Sequence, residues 1–278
     1  MKKQYGLIGY PLGHSMSAFI HKRLFELSKQ DAEYLMLEFP PEKLDEKAKE
    51  LKKLAGFNIT MPYKKDILQY LDGLDEKALL YGAVNTVNCG KKVVGCNTDV
   101  VGFLKSTDLL GGIANKKICI IGAGATAKMA ATEAVLANSE VTIAVREGSL
   151  SKADNLCFDV ARLSPTAKVS ATTISQITEH YDMLINCTPV GMYPKTDAMP
   201  IDEDKLGLFN SVLDLIYNPI ETNLIRCAKA KGLSTSSGMT MLVWQAVIAH
   251  EIWYFAKFEQ ADIDKLIADA SEHLAKIR

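Results

Sequence analysis

The chain has 278 residues, 48% of them hydrophobic and 23% charged, and its formal net charge is −1. This length allows two modest domains or one large one, and the near-zero charge argues against nucleic acid or an acidic membrane surface as a partner. No apolar run reaches about 18 residues, the length of a membrane-spanning helix. The N-terminal MKKQYGLIGY leads directly into a strand-like run, which is not the pattern of a signal peptide.

The six cysteines are scattered without the spacing of metal ligands: Cys89, Cys96, Cys119, Cys157, Cys187 and Cys227. Most lie in strand-like or helix-like runs, so we interpret them as small buried hydrophobes in a reducing compartment. Cys89 and Cys96 flank a predicted hairpin turn, where a disulfide is the weaker alternative to two free thiols. The pattern predicts a cytoplasmic protein without a metal site.

The first hundred residues alternate strand and helix patterns, which indicates α/β layers. Ser17 is predicted to cap the first helix. The predicted strands span 5–9, 32–39 and 56–61, with a hairpin at 84–87 and 93–96, and the predicted helices span 18–29, 41–54, 64–71 and 76–81. A further helix over 99–110 leads into a second region.

The second region begins with KICIIGAGATAKM, residues 117–129, which predicts a strand, a glycine turn and a helix start. Gly122, Gly124 and Ala127 stand at the spacing G-x-G-x-x-A. In a dinucleotide site the first glycine allows the turn, the second admits a pyrophosphate, and the third small residue lets helix and strand pack closely. The N–H groups at the helix start would point at that pyrophosphate. The same spacing also occurs in ordinary strand-to-helix turns.

The remaining elements continue the α/β alternation. Strands are predicted at 140–145, 168–172, 183–186 and 211–215, and helices at 151–163, 221–231, 238–258 and 263–276. The last two helices can close the second region or return to the first.

Two polar stretches of the first region are candidates for substrate binding. In HSMS, residues 14–17, the hydroxyls of Ser15 and Ser17 can hold a carboxylate, or they can cap the helix that follows. In NITMPYK, residues 58–64, strand alternation places Asn58 and Thr60 on one face. Lys64 lies just past the strand end, where active sites of open α/β sheets gather, although a lone lysine is usually only solvated.

Two further polar stretches lie nearer the second region. GAVNT, residues 82–86, places the amide of Asn85 at the start of a strand, and NTDVVG, residues 97–102, places Asp99 at a helix start, where it is also a common cap.

In order and spacing these stretches resemble the shikimate dehydrogenase family, whose pattern is HSxSPxxH, NVTxPxK, GAVNT, NTDxxG, a GAGGA-like turn, NxTPxGM, DxxYxPxxT and GxxMLVxQ. The last three occur here as NCTPVGM at 186–192, DLIYNPIET at 214–222 and GMTMLVWQ at 238–245. The resemblance covers residues 6–246. Eight motifs in the same order make the resemblance to this family specific, although each motif alone would be weak evidence.

The resemblance implies an N-terminal α/β substrate domain, a Rossmann-type NADP-binding domain and C-terminal helices that return to the first domain. The implied bounds are 1–100 with 239–278 for the substrate domain and 101–238 for the Rossmann domain. The implied reaction is the reversible reduction of 3-dehydroshikimate to shikimate by NADPH, in chorismate and aromatic amino acid biosynthesis. The active site is expected in a cleft between the domains of a monomer or homodimer.

The resemblance also assigns roles to single residues, with Lys64 and Asp99 as the catalytic pair. The implied substrate-binding residues are Ser15, Ser17, Thr60, Lys64, Asn85, Asp99, Tyr217 and Gln245. The implied cofactor-binding residues are Glu76, Gly122, Ala123, Gly124, Ala125, Thr126, Ala127, Arg146, Leu215 and Gly238. The chemistry suits the pair, because an ammonium group stabilises the alkoxide that forms when hydride reaches a ketone, and can donate its proton.

The chain departs from the family pattern at three places. Ala18 stands for a common proline and Lys22 for a common asparagine. The predicted strand 140–145 and the residues after it read Ala144-Val145-Arg146-Glu147, where many relatives read Asn-Arg-Thr. Arg146 favours the 2′-phosphate of NADP, whereas Glu147 would repel a phosphate if it turned inward instead of pairing with Arg146 or facing water.

Three alternatives to an NADP-dependent shikimate dehydrogenase stay open. The nearest is a quinate/shikimate dehydrogenase that uses NAD, although two serines at 15 and 17 fit shikimate better. A cofactor-binding regulator that lost its chemistry is disfavoured by the intact Lys64, Asp99 and Gln245. A methylene-tetrahydrofolate-type dehydrogenase gives no reason for the serine pair.

Overall fold

The computed structural model describes residues 2–13 and 15–277. The chain forms two compact units, the first of Met1–Gly102 with Leu242–Arg278 and the second of Phe103–Met241. Each unit is built on its own sheet. Among the described residues, every helix is too short or too polar to cross a bilayer.

The sheet of the first unit is mixed, with strand order β2-β1-β3-β5-β6-β4. Its strands are β1 (Lys3–Gly9), β2 (Ala32–Glu38), β3 (Gly56–Ile59), β4 (Gly73–Leu74), β5 (Thr86–Cys89) and β6 (Val93–Cys96), and its helices include α1 (Ser17–Leu27), α2 (Leu44–Leu51) and α3 (Glu76–Tyr81). Strand β1 is parallel to β2 and β3, and β5 is antiparallel to β3 and β6. Strands β3 and β6 therefore run in the same direction, and their carboxyl ends share one edge of the sheet.

The C-terminal helices belong to the first unit, as predicted. Helix α8 (Gly238–Tyr254) enters it from Leu242 onward, and α9 (Gln260–Lys276) follows. The indole N–H of Trp253 donates to the carbonyl of Val87 at 2.9 Å, and its ring lies 4.5 Å from that of Tyr5. A Cβ on Gly56 would lie 2.3 Å from the indole nitrogen, so only glycine lets the helix approach the sheet this closely.

The sheet of the second unit is entirely parallel, with order β12-β11-β10-β7-β8-β9. Its strands are β7 (Lys117–Ile121), β8 (Glu140–Val145), β9 (Lys168–Thr173), β10 (Tyr181–Asn186), β11 (Phe209–Asp214) and β12 (Ser234–Ser237). Helix α4 (Asp99–Asp108) leads into the unit, which also holds α5 (Ala125–Leu136), α6 (Leu150–Ala161) and α7 (Asn223–Ala230). This order is that of the doubly wound dinucleotide-binding fold, so the predicted Rossmann-type domain is confirmed.

Several local predictions differ from the structure. The predicted helix 41–54 begins as a 3₁₀ turn before α2, and the predicted helix 64–71 is only a 3₁₀ turn over Asp66–Tyr70. The predicted cap at Ser17 is wrong, because Ser17 is the first residue of α1 and its N–H donates to the hydroxyl oxygen of Ser15 at 3.2 Å. Cys89 and Cys96 are free thiols, as are the other four cysteines.

Two buried histidines meet beneath the first sheet. His21 Nδ1 and His250 Nε2 are 2.9 Å apart, and the His21 ring stacks on Tyr34 at 4.1 Å. Both imidazoles are fully buried, and burial lowers the pKa of His250 to about 3 and that of His21 well below its usual range. Both histidines are therefore neutral in the folded protein at neutral pH.

Acid should unfold the protein partly through this pair. The unfolded chain protonates each histidine below about pH 6.5, whereas in the folded chain His250 resists protonation until about pH 3 and burial also keeps the pKa of His21 well below its usual range, so stability falls as the pH falls below about 6.5. We expect His250→Gln to reduce that slope by up to about 1.4 kcal/mol per pH unit in chemical unfolding. His180→Gln, at an exposed histidine, is the matched control, and an equal change in both variants would contradict this role.

Candidate active site

Lys64 and Asp99 meet at the carboxyl edge of the first sheet. Lys64 follows β3, and Asp99, the first residue of α4, follows β6. Lys64 Nζ donates to Asp99 Oδ2 at 2.6 Å. Their side chains are 34% and 23% exposed, so the pair is partly shielded from water but open to a ligand.

Asn85 holds the other oxygen of this carboxylate. Its Nδ2 donates to Asp99 Oδ1 at 2.9 Å, and its Oδ1 accepts from the backbone N–H of Thr98 at 2.7 Å. Asn85 is buried just before β5. The structure therefore brings together three of the predicted residues, Lys64, Asn85 and Asp99.

The other predicted substrate residues of the first unit lie on three elements. Thr60 follows β3, and a Cβ on Gly9, at the end of β1, would lie 2.4 Å from the Thr60 methyl. Ser15 and Ser17 follow β1 at the start of α1, while His14 of the HSMS stretch lies outside the described residues. Gln245, on α8, donates to the carbonyl of Leu242 in its own helix, so its place beside the pair stays a prediction.

The glycine turn of the second unit has the features a pyrophosphate needs. Gly122 has a φ of 116°, and a Cβ there would lie 3.1 Å from the Thr188 methyl. Gly124 precedes α5, and a Cβ built on it meets nothing within 4 Å. Ala127 is fully buried. Ala123, Ala125 and Thr126 complete the turn, and the open helix start fits a dinucleotide.

Arg146 is exposed at the end of β8, which pairs with β7 in the sheet. A cation at the end of this second strand suits a 2′-phosphate. Glu147 accepts a hydrogen bond from the Ser175 hydroxyl at 2.7 Å, and this bond lowers the pKa of its carboxyl. Glu147 is exposed, so of the two surroundings expected from the sequence it has the solvent-facing one, and its hydrogen-bond partner is Ser175 rather than Arg146.

Three further residues implied for the cofactor or substrate lie at structurally distinct places. Gly238 is buried against the loop after β11, where a Cβ would lie 2.2 Å from the Leu215 carbonyl oxygen. Tyr217, in the same loop, is half-buried, and burial raises the pKa of its hydroxyl. Glu76 is exposed at the start of α3 in the first unit, so its nearness to a cofactor stays a prediction.

Asp214 is a buried carboxylate that sequence reasoning missed, although it opens the DLIYNPIET motif. It accepts hydrogen bonds from Thr222 Oγ1 at 2.6 Å, from Asn186 Nδ2 at 3.0 Å and from the Ile216 N–H at 3.2 Å. It therefore ties together the loops that follow β10 and β11. Burial raises its pKa to about 6 despite these bonds.

Two substitutions of Asp214 distinguish the contribution of its hydrogen bonds to stability from the contribution of its charge. Asp214→Ala removes the acceptor of three buried hydrogen bonds and should cost about 3 kcal/mol or more. Asp214→Asn keeps the shape and most bonds, so we expect it within about 1 kcal/mol of the wild type at pH 7. Because the folded pKa is raised, the carboxylate makes stability fall as the pH rises from about 4 through about 6, and Asp214→Asn should lose this slope. Equal losses in both variants by chemical unfolding would contradict this account.

The fold and the two sites define a class, the two-domain dehydrogenases that use a nicotinamide dinucleotide. The family profile described as the shikimate dehydrogenase substrate binding domain matches residues 7–87. The shikimate dehydrogenase (NADP(+)) of Bacillus subtilis (strain 168) is 36% identical over 258 residues, which cover 91% of this chain and 92% of that protein.

Two crystal structures are similar over nearly the whole chain. A shikimate dehydrogenase in complex with NADP+ is 33% identical, with a TM-score of 0.86 and coverage of 96% of this chain and 95% of that one. The shikimate 5-dehydrogenase of Thermus thermophilus, in complex with NADP(H) and shikimate, is 28% identical, with a TM-score of 0.83 and coverage of 96% and 99%. The chain belongs to the shikimate dehydrogenase family.

Proposed function

We propose that this protein catalyses the reversible, NADPH-dependent reduction of 3-dehydroshikimate to shikimate in chorismate and aromatic amino acid biosynthesis. The observation that carries the proposal is the 2.6 Å contact between Lys64 and Asp99 in a chain of this family. The free thiols of all six cysteines suit a reducing cytoplasm, where we place the reaction.

Lys64 is the proposed proton donor in the reduction. Bound NADPH supplies a hydride to the carbonyl carbon. The Lys64 ammonium, placed at the carbonyl oxygen, stabilises the negative charge that develops there and donates its proton to give the alcohol. Asp99 fixes the ammonium through the 2.6 Å hydrogen bond, and in the oxidation direction the proton returns from the alcohol to the lysine nitrogen.

Hydroxyl and amide groups of the first unit are proposed to hold the substrate ring. Ser15 and Ser17 bind its carboxylate, and the family resemblance adds Tyr217, which belongs to the second unit. The Ser15 oxygen already accepts the Ser17 N–H, which leaves the Ser15 hydroxyl proton free to donate to a carboxylate. The ring hydroxyls are bound by Thr60, Asn85 and Gln245, together with the catalytic pair.

The second unit is proposed to bind NADP. The proposed functional domains keep the bounds expected from the sequence, 1–100 with 239–278 for the substrate domain and 101–238 for the NADP-binding domain. The pyrophosphate lies on the open turn from Gly122 to Ala127, where Gly124 has free space, and Arg146 binds the 2′-phosphate. Glu147 would repel this phosphate if it turned inward, but its carboxylate accepts a hydrogen bond from Ser175 instead. Leu215, Gly238 and Glu76 complete the proposed cofactor contacts.

Four assays of nicotinamide reduction test this function, with shikimate or quinate as substrate and NADP+ or NAD+ as cofactor. We expect the highest kcat/KM for shikimate with NADP+, and at least about a tenfold preference over NAD+, because a charge-assisted bond to the 2′-phosphate contributes about 1.5–3 kcal/mol. Equal efficiencies with both cofactors would contradict the role of Arg146. Preference for quinate would favour the quinate/shikimate alternative. Tight NADPH binding without turnover would favour a regulator.

A further inference from the structure

Four polar side chains are buried beneath the catalytic carboxylate. Asn58 on β3, Thr86 on β5, and Thr98 and Asn85 beside them are all at most 4% exposed. Burying a polar group is costly unless it is hydrogen-bonded. The hydrogen bonds among these four side chains, which form one polar layer, therefore identify the groups that the layer holds in place.

The layer forms one continuous series of contacts that starts at Tyr34. The Tyr34 hydroxyl donates to Asn58 Oδ1 at 2.7 Å, and Asn58 Nδ2 donates to Thr86 Oγ1 at 3.0 Å. Thr86 Oγ1 lies 3.2 Å from Thr98 Oγ1, which in turn lies 3.3 Å from Asn85 Oδ1 and accepts from Asn85 Nδ2 at 2.9 Å.

The donors and acceptors of these contacts can be assigned. Asn58 Nδ2 also donates to the Asn85 carbonyl oxygen at 3.4 Å, and because a carbonyl can only accept, Oδ1 of Asn58 faces Tyr34, whose hydroxyl is therefore the donor. Asn58 Nδ2 then faces Thr86, whose own hydroxyl proton is left to donate to Thr98. Since a backbone N–H can only donate, the bond from Thr98 N at 2.7 Å fixes Oδ1 of Asn85 on the buried side.

The orientation of Asn85 decides how Asp99 is held. With Oδ1 turned inward, Nδ2 of Asn85 points at Asp99 Oδ1, while Lys64 occupies Oδ2. A carboxylate held at both oxygens cannot rotate, and it sets the position of the lysine ammonium. An error of about 1 Å in such a position can cost about 100-fold in rate.

From this geometry we propose that Thr86 and Thr98 are positioning residues for the reaction: the Thr98 N–H sets the orientation of Asn85, and the buried hydroxyls of Thr98 and Thr86 hold that amide, and through it the carboxylate of Asp99, in place. Neither threonine touches the substrate in this role. The role rests on the proposed function, because it is expressed through turnover of Lys64 and Asp99. It predicts that loss of either hydroxyl lowers kcat by a larger factor than it raises the KM for shikimate, because Ser15, Ser17 and Thr60 still bind the substrate.

Thr86→Val and Thr86→Ser form the matched test, because valine keeps the shape and removes the hydroxyl, while serine keeps the hydroxyl and removes a methyl. We expect Thr86→Val to lower kcat for shikimate oxidation about tenfold with KM within about twofold, and Thr86→Ser to restore kcat to within about twofold. Thr107→Val, at a buried threonine whose hydroxyl donates to the Leu104 carbonyl of its own helix, controls for the loss of a buried hydroxyl.

A purely packing role predicts the opposite order, because serine leaves a cavity and valine does not. Thr86→Ser as impaired as Thr86→Val, or Thr86→Val with wild-type kcat, would overturn the positioning role. If Thr86→Val does not fold, Tyr34→Phe decides, since it removes the first donor of the series with little change in volume. We expect Tyr34→Phe to lower kcat about threefold, and an unchanged kcat overturns the role. A wild-type chain that fails to oxidise shikimate would instead overturn the proposed function.

Discussion

Lys64→Ala should lower kcat for shikimate oxidation about 10³-fold while changing the KM for shikimate far less. The loss follows from removing both the proton acceptor and the charge that stabilises the alkoxide, and general acid–base groups contribute about 10²- to 10⁴-fold. Steady-state kinetics with NADP+ measures it. The KM effect is smaller because the remaining proposed contacts, from Ser15, Ser17 and Asn85, still bind the ground-state substrate.

Lys65→Ala is the matched control, since the neighbouring lysine is exposed and lies outside the Asp99 contact. It should keep near-wild-type kinetics. Asp99→Asn tests the partner, because the amide keeps the size of the side chain and removes its charge, and we expect a loss of kcat in the same direction. Turnover close to wild type in Lys64→Ala would remove Lys64 from the mechanism.

Gly124→Val should weaken NADPH binding about 100-fold without unfolding the protein. The position has room for a Cβ, and its φ of −89° suits any residue, so the cost in stability should stay below about 1 kcal/mol. The valine would occupy the space proposed for the pyrophosphate and block two charge-assisted bonds from the helix start. Isothermal titration with NADPH measures the change.

Gly207→Val tests the same substitution at another open, exposed glycine of the second unit. It should leave NADPH affinity unchanged. Unaltered NADPH binding in Gly124→Val would place the cofactor elsewhere. Gly238→Val should behave differently from both, because a Cβ there meets backbone at 2.2 Å, so we expect loss of the fold rather than a selective loss of affinity.

The sequence predicted most of the fold because its apolar runs and turn residues agree with the tertiary structure. The stretch KICIIGAGATAKM forms the strand, turn and helix expected of it, and the final helices lie with the first unit. Strand β12 was missed because Ser-Thr-Ser-Ser carries no apolar alternation, and only pairing with β11 makes it a strand. The turn over Asp66–Tyr70 was predicted as an α-helix because apolar spacing does not distinguish a short 3₁₀ segment.

The candidate site was predicted in part, because motif residues are visible in the sequence and their partners are not. Lys64 and Asp99 are 35 positions apart, and their contact depends on β3 and β6 running in the same direction. The buried hydroxyls of Thr86 and Thr98 resemble ordinary strand and turn residues until the structure shows Asn85 between them and Asp99. The partner of Glu147 is likewise hidden in the sequence, because Ser175 lies in the turn that follows the neighbouring strand β9.

In the proposed reaction this protein transfers a hydride between shikimate and NADP, and Lys64 donates the proton in reduction and accepts it in oxidation. Shikimate labelled with deuterium at carbon 3, the carbinol carbon that becomes the ketone of 3-dehydroshikimate, tests it most directly, with NADP+ as acceptor and mass spectrometry of the nicotinamide product. We expect one deuterium in the reduced nicotinamide for the wild type and almost none in the same time for Lys64→Ala. Unlabelled reduced cofactor, or equal transfer in both proteins, would contradict the account.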